Sequence, residues 1–312
     1  MTTTTPVVDG RTRHYGDFYG LSEPEGDGAV ALVVGNCQAE SLRIALEGGG
    51  LRTVRTPAVH ELVATDLPHL ARWLGRAELL VSQPVRDDYH GLPLGTAQLA
   101  AALPERARVV RVPVIRFAGL YPAHAIVRPP SDASLVPPVV EYHDLRLVVR
   151  AAALGGAVDA PPPLPPLRPE AVRAVAELSR GELRRREEAH DAVVVSDLFD
   201  SPSFAQMRTL NHPGNPVWRS LAERVRRRLA LPEHEVDPGR PLLDSVHAPR
   251  EAAVVEAFGL EEAPTDHWLV GGRRVEAAEV EEAHLAWYAD HPEVVTAALA
   301  RHADALRLLG LS

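Results

Sequence analysis

The chain contains no lysine, and all 33 of its Lys or Arg positions are arginine. A Schiff-base enzyme, a pyridoxal-phosphate enzyme with its internal aldimine, a Walker-A nucleotide site and a standard protein kinase each need a lysine at the reacting centre. The composition therefore excludes these classes, and no PLP cofactor is expected.

Cysteine is almost absent as well, because Cys37 is the only one among 312 residues. One cysteine permits neither an intramolecular disulfide nor a CxxC metal site. There is also no HExxH motif, so we expect no bound metal. No run approaches the ~18 apolar residues that span a bilayer, and the first thirty residues lack the apolar stretch of a signal peptide. We therefore expect a cytoplasmic protein without a membrane span.

An excess of positive charge is also lacking, since the formal net charge is −9. Nothing general therefore favours binding to nucleic acid or to an anionic membrane. With 46% hydrophobic and 24% charged residues, the composition is ordinary for a globular protein. The length suits one large domain or two smaller ones.

Short apolar runs alternate with helical stretches over the first 120 residues. The predicted strands are 29–34, 51–56, 78–82 and 108–114, and the predicted helices between them are 39–46, 66–74 and 95–103. This alternation predicts a parallel sheet with right-handed crossovers. Further helices are predicted at 141–154, 169–190 and 215–229, in a remainder that is mostly helical.

The predicted fold class is therefore α/β, with a small parallel sheet flanked by helices and a largely helical C-terminal part. We expect residues 1–28 to form a loose N-terminal arm and residues 29–160 to form the α/β core. Residues 161–312 are expected to form a helical part that packs on this core.

Cys37 lies in the turn Gly35-Asn36-Cys37-Gln38, which follows the first predicted strand and begins a helix. Ligands bind beyond the carboxyl ends of the strands in an open parallel sheet. Unpaired N–H groups at a helix start stabilise a thiolate and can also form an oxyanion hole. The alternative is that Cys37 is only a small buried hydrophobic residue.

A thiolate nucleophile needs a base, and His212 in the turn Asn211-His212-Pro213 is the best candidate. The alternative for His212 is a role in capping the following helix. Gln83 comes just after the third predicted strand, at the same sheet edge as Cys37, where its amide can donate a hydrogen bond to a ligand.

Four blocks of sequence resemble the WcbI-type capsular polysaccharide biosynthesis family. They are VVGNCQAESLRIAL, LLVSQPVRDDYHGLPLGT, VVRVPVIRFAGLYP and MRTLNHPGNPVWRSLAERV, and in this order they cover about residues 29–229. The resemblance implies an SGNH-like sheet, coenzyme A or acetyl-coenzyme A as acyl donor, and acetyl transfer to a sugar hydroxyl. It also supports Asn36, Cys37, Gln38, Gln83 and His212 as site residues.

The leading hypothesis is a coenzyme A-dependent acyltransferase that acts on a sugar or a specialised metabolite. Cys37 and His212 are the predicted catalytic residues, in a covalent or a direct route, and Asn36, Gln38, Gln83 and Asn211 are predicted to bind the oxyanion or the substrate. With no lysine, the coenzyme's phosphates must be bound by arginines, and the candidates are Arg43, Arg116, Arg128 and Arg208.

Two alternatives remain open. One is an SGNH-like ester or thioester hydrolase with a cysteine nucleophile. The other is a non-catalytic ligand-binding module in which Cys37 is only packed. The expected partner is a small-molecule or sugar acceptor, and a homo-oligomer is compatible with the sequence.

Overall fold

A computed structural model describes residues 9–129, 132, 134–154 and 164–311. Within these ranges the helices are α1 (Gly10–His14), α2 (Gly16–Tyr19), α3 (Gln38–Leu46), α4 (Leu67–Leu74), α5 (Thr96–Ala101), α6 (Leu145–Leu154), α7 (Pro169–His190), α8 (Asn215–Arg228), α9 (Ala252–Phe258), α10 (Ala277–Asp290), α11 (Pro292–Arg301) and α12 (Ala303–Leu309). The strands are β1 (Ala29–Val34), β2 (Leu51–Val54), β3 (Leu79–Ser82), β4 (Arg108–Arg111), β5 (His124–Ala125), β6 (His143–Asp144), β7 (Met207–Thr209), β8 (His212–Pro213), β9 (Val246–His247), β10 (His267–Val270) and β11 (Arg273–Glu276).

A four-stranded parallel sheet with the order β2-β1-β3-β4 confirms the predicted fold class. Residues 30–34 of β1 are all buried, as expected for a continuous apolar run in a central strand covered on both faces. In the β1–β3 register Val34 pairs with Ser82. The residues that follow these two strands therefore start from the same edge of the sheet.

The chain divides into two compact units, which we describe separately. Unit 1 comprises residues 1–114, 185–195 and 215–242, and unit 2 comprises residues 115–184, 196–214 and 243–312. The predicted boundary at residue 160 lies outside the described residues. The later part of the sequence thus contributes to both units rather than forming one separate part.

Unit 1 contains the parallel sheet, and its N-terminal segment corrects the expectation of a loose arm. Residues 10–19 form α1 and α2 in place of a loose chain, and Phe18 is fully buried against the core that also contains Trp73. Arg11 forms a 2.8 Å ion pair with the buried carboxylate of Asp66, which precedes α4. A buried aromatic ring and an ion pair to a buried carboxylate hold this segment in place.

Unit 2 contains three small antiparallel sheets and a group of helices. The sheets are β5-β6, β7-β8 and the three-stranded β11-β10-β9, and α6 packs against α10 and α11. The helix predicted over 141–154 begins only at Leu145, because His143 and Asp144 pair with β5 instead. The helical character of the C-terminal region is confirmed, although the strands β9 to β11 interrupt it.

Candidate functional site

Cys37 is the N-cap residue of α3 in unit 1, three residues beyond the end of β1. It is exposed, which does not fit the alternative of a small buried hydrophobic residue, and its catalytic role stays a prediction. β1 and β3 are parallel neighbours, which places Gln83 next to the turn. The sheet thus brings together the polar residues that the sequence analysis grouped around Cys37.

Three hydrogen bonds fix the Cys37 turn, which we define as residues 35–38. The Asn36 backbone N–H donates to Gln83 Oε1 at 2.8 Å, and Gln83 Nε2 donates to Gln38 Oε1 at 3.2 Å. The Gln38 backbone N–H donates to Asn36 Oδ1 at 2.9 Å. The turn is therefore held by its own Asn36 side chain and by the Gln83 amide from the end of β3, and the role of Asn36, Gln38 and Gln83 toward a ligand stays a prediction.

Gly35 is required by the close approach of Gln83. A Cβ atom added at Gly35 would lie 2.3 Å from Gln83 Oε1 and 2.7 Å from its Cδ, well inside van der Waals contact. The Gly35 carbonyl also accepts a 2.8 Å hydrogen bond from the Val59 N–H. The glycine lets the Gln83 amide reach the backbone of the turn.

His212 lies in unit 2, in the short hairpin of β7 and β8, and its side chain is buried. The Tyr142 hydroxyl is the centre of a polar cluster around it. That hydroxyl donates to Asn211 Oδ1 at 2.8 Å, accepts from Thr209 Oγ1 at 3.0 Å, and lies 3.4 Å from His212 Nε2. We call Tyr142, Thr209, Asn211 and His212 the His212 cluster.

Burial lowers the pKa of His212, although the negative charge of Glu141 and the backbone of Val246 oppose this decrease. The imidazole is therefore neutral at pH 7 and able to accept a proton. His212 Nδ1 is buried and has no hydrogen-bond partner within the part of the chain that the structure describes. A neutral ring with one nitrogen near a hydroxyl suits a general base.

Tyr142 and Thr209 are the two members of this cluster that were not predicted from the sequence. The run Glu141-Tyr142-His143-Asp144 was assigned to the start of a helix, where a tyrosine would have no particular role. The pairing of His143-Asp144 with His124-Ala125 makes it a strand instead.

Three of the four arginines predicted to bind the coenzyme form ion pairs with carboxylates. Arg43 binds Glu40 at 2.7 Å and Glu47 at 3.2 Å, and it also donates to Thr53. Arg208 binds Asp244 at 2.9 Å, and Arg128 binds Glu141. Arg116 is partly buried and also interacts with other groups of the protein. Phosphate binding by these residues stays a prediction, and for Arg43 it would have to break an extended ion-pair network.

Cys37 and Arg43 belong to unit 1, whereas Arg116, Arg128, Arg208, Asn211 and His212 belong to unit 2. The pairing of Cys37 with His212 accordingly stays a prediction. Among the described residues there is no group of three or more His, Cys, Asp or Glu side chains that could hold a metal ion. In that same part of the chain, no helix combines the length and the apolar character needed to cross a membrane.

A family model described as "Polysaccharide biosynthesis enzyme WcbI" matches residues 30–234. A search of curated proteins gives no significant match. A solved structure described as WcbI, "a novel polysaccharide biosynthesis enzyme", is similar over 91% of this chain and 99% of its own, with a TM-score of 0.73 and 17% identity. It is further described as the native protein without a disulfide bond between coenzyme A and one of its cysteines. At this identity the likeness shows a shared fold.

Proposed function

Because the chain belongs to the WcbI family of polysaccharide biosynthesis enzymes, we propose that it transfers an acyl group from coenzyme A to a hydroxyl group. The simplest donor is acetyl-coenzyme A, and the acceptor is a sugar or a specialised metabolite. The description of the similar structure connects coenzyme A with a cysteine in that protein. In this chain the only cysteine is Cys37, which makes it our candidate for contact with the coenzyme's sulfur.

The observation that carries the proposal is the exposed thiol of Cys37 at the start of α3, in a turn fixed by buried Gln38 and Gln83. Because the thiol is exposed and its turn is fixed by hydrogen bonds, its sulfur can approach the carbonyl carbon of a bound thioester without rearrangement of the chain. Backbone N–H groups at the first turn of a helix favour negative charge nearby. This favours both a thiolate on Cys37 and an oxyanion formed next to it.

In the proposed reaction, the Cys37 thiolate attacks the carbonyl carbon of the acyl thioester. The bond to the coenzyme's sulfur breaks, the coenzyme leaves as a thiolate, and it takes up the proton that Cys37 had released. The acceptor hydroxyl then attacks the acyl group on Cys37, and its proton passes to His212, which is neutral at pH 7. Cys37 leaves as a thiolate, which completes the transfer.

The test is to mix the protein with acetyl-coenzyme A and follow its intact mass and the release of free coenzyme. We expect one acetyl group on the wild-type chain and none on Cys37→Ala. In His212→Asn the acetyl group should remain on the protein, because the acceptor's proton has no base, and transfer should fall about 10²–10⁴-fold.

Titration calorimetry with coenzyme A provides the binding control. If the wild-type chain binds no coenzyme A, the proposal fails. If Cys37→Ala transfers the acetyl group at the wild-type rate, the covalent route is wrong. Release of acetate at a rate independent of any acceptor would instead indicate the ester or thioester hydrolase.

A further inference from the structure

Arg250 in unit 2 is a partly buried arginine whose charge has no polar partner. Its backbone is fixed, because its N–H donates to Thr265 Oγ1 at 2.9 Å and its carbonyl accepts from the Thr265 N–H at 2.9 Å. Its guanidinium carbon lies 5.2 Å from the ring centre of buried Phe204. Among the residues that the structure describes, this guanidinium makes neither a hydrogen bond nor an ion pair.

This distinguishes Arg250 from other arginines of low exposure. Arg128, Arg146 and Arg208 each bind a carboxylate, and buried Arg226 donates to backbone carbonyls. A guanidinium has five N–H donors in a planar fork, which can pair with an anion in two parallel hydrogen bonds. An aromatic ring beneath one face orients the fork and leaves its edge available to an anion.

Three charged residues influence the pKa of Tyr121, whose ring centre lies 6.1 Å from that of Phe204. The positive charges of Arg250 and Arg208 lower the pKa of Tyr121 and the negative charge of Glu262 raises it, while burial has the largest effect and raises it. Asp244 already pairs with Arg208 at 2.9 Å. Of these two arginines, Arg250 is therefore the one without a carboxylate partner among the described residues.

A row of packed rings connects Arg250 to the His212 cluster within unit 2. Neighbouring ring centres lie 5.0–6.1 Å apart, in the order Phe204, Tyr121, His124, Trp268, Tyr142 and His212. Arg250 lies at one end of this row and the proposed base lies at the other.

We propose that Arg250 binds a phosphate group of the ligand, and that coenzyme A supplies this phosphate. The first part requires only a phosphate ester, whereas the second rests on the proposed function. Arginine pairs with phosphate through two parallel N–H···O bonds, which suits a fork held flat on a ring. Residue 250 lies beyond the segment matched by the family model, 30–234, so the match does not assign it.

The experiment is titration calorimetry on the full chain with coenzyme A, with pantetheine and with inorganic phosphate. We expect Arg250→Gln to weaken coenzyme A binding at least tenfold and inorganic phosphate binding similarly, and to leave pantetheine binding unchanged. Arg250→Lys should be intermediate, because it keeps the charge but not the fork.

The matched control is Arg273→Gln, which removes an exposed arginine of the same unit and should change binding less than twofold. Equal coenzyme A affinity of Arg250→Gln and the wild type would overturn the inference and leave the proposed function intact. Equal loss of coenzyme A and pantetheine would also overturn it. If the wild type binds inorganic phosphate through Arg250 but no coenzyme A, the phosphate site stands and the proposed function fails. If the wild type binds neither, both fail.

Discussion

At the scale of single residues, the Cys37 turn depends on one amide side chain. Gln83 is buried, and it uses its oxygen for the Asn36 N–H and its nitrogen for Gln38 Oε1. Both partners belong to the loop that carries Cys37, so Gln83 connects the end of β3 to the candidate nucleophile. The Gln83 amide can lie this close to the turn because Gly35 has no side chain. Gln83 thus has a positioning role whether or not it also contacts a ligand.

We predict that Gln83→Ala lowers the free energy of unfolding by about 1–3 kcal/mol, because it leaves a buried donor and a buried acceptor without partners. Denaturant unfolding measures this change. The rate at which iodoacetamide alkylates Cys37 at pH 7 should also fall several-fold, since a loosened helix start stabilises the thiolate less well. Arg86→Ala, an exposed change in the same loop, is the control and should affect neither quantity. Wild-type stability and alkylation in Gln83→Ala would contradict the positioning role.

At the scale of elements, α3 is fixed at both ends within unit 1. Its first turn is held by the hydrogen bonds described above. At its last turn, the guanidinium of Arg226 from α8 donates to the carbonyl oxygens of Leu46 at 2.8 Å and Gly49 at 3.0 Å. Arg226 is almost completely buried, and burial lowers its pKa. A cation at the C-terminal end of a helix satisfies the terminal carbonyls and opposes their partial negative charge.

We predict that Arg226→Met destabilises the protein by roughly 3 kcal/mol, because carbonyl groups at the end of α3 lose their donors. The adjacent Arg227 is exposed and pairs only with Glu223, so Arg227→Met is the matched control and should change stability by less than about 0.5 kcal/mol. Thermal and denaturant unfolding of the two variants give the comparison. Equal stability of both variants would show that the buried guanidinium does not hold α3.

At the scale of the whole molecule, burial shifts several histidines of unit 2 toward the neutral form. It lowers the pKa of His124, His143 and His302 to about 4. The ring of His143 is completely buried, with Nδ1 2.7 Å from the Tyr288 hydroxyl and Nε2 3.1 Å from the Val127 carbonyl. Nε2 is therefore the donor and Nδ1 the acceptor. A protonated ring could no longer accept the hydrogen bond from the Tyr288 hydroxyl at Nδ1, whereas the bond from Nε2 to Val127 would remain.

Acid should therefore destabilise the fold. Between pH 6.5 and about 4 the unfolded chain takes up protons on these histidines while the folded chain does not, so stability is complete above this window and decreases as the pH falls through it. Each fully shifted histidine contributes up to about 1.4 kcal/mol per pH unit. Thermal unfolding measured at intervals from pH 7.5 to 4.5 should show this decline.

The variant His143→Asn should have a shallower pH dependence of the melting temperature, since it removes one of these groups. Its control is His60→Asn, which replaces an exposed histidine and should follow the wild-type curve. A melting temperature that is constant over this range would rule out the histidine contribution.

Local sequence patterns were sufficient for the sheet and for much of the helical structure. The run Ala29–Val34 is a buried strand with the predicted bounds, and α7 also has its predicted bounds, Pro169–His190. Patterns of this kind depend on neighbours a few residues away, which the sequence displays directly. The two-residue strands were not predicted from the sequence. A strand such as β5 is defined by its pairing with β6, which lies almost twenty residues further along the chain. The β10–β11 hairpin was also not predicted, although the Gly271-Gly272 pair between its strands is typical of a tight turn.

The sequence by itself determined that no lysine chemistry operates and that Cys37 follows the first strand of a parallel sheet, whereas the turn predicted at His212 ends one residue earlier and His212 begins β8. Only the tertiary structure decided that Gln83 closes the Cys37 turn, that Tyr142 contacts His212, and that Arg250 lacks a counter-charge. The physical reason is that hydrogen bonds and ion pairs act over a few ångströms in space. Their partners here are separated by 47 residues for Gln83 and 70 residues for Tyr142. Composition and periodicity do not show which polar residues, far apart in the sequence, are in contact in the folded protein.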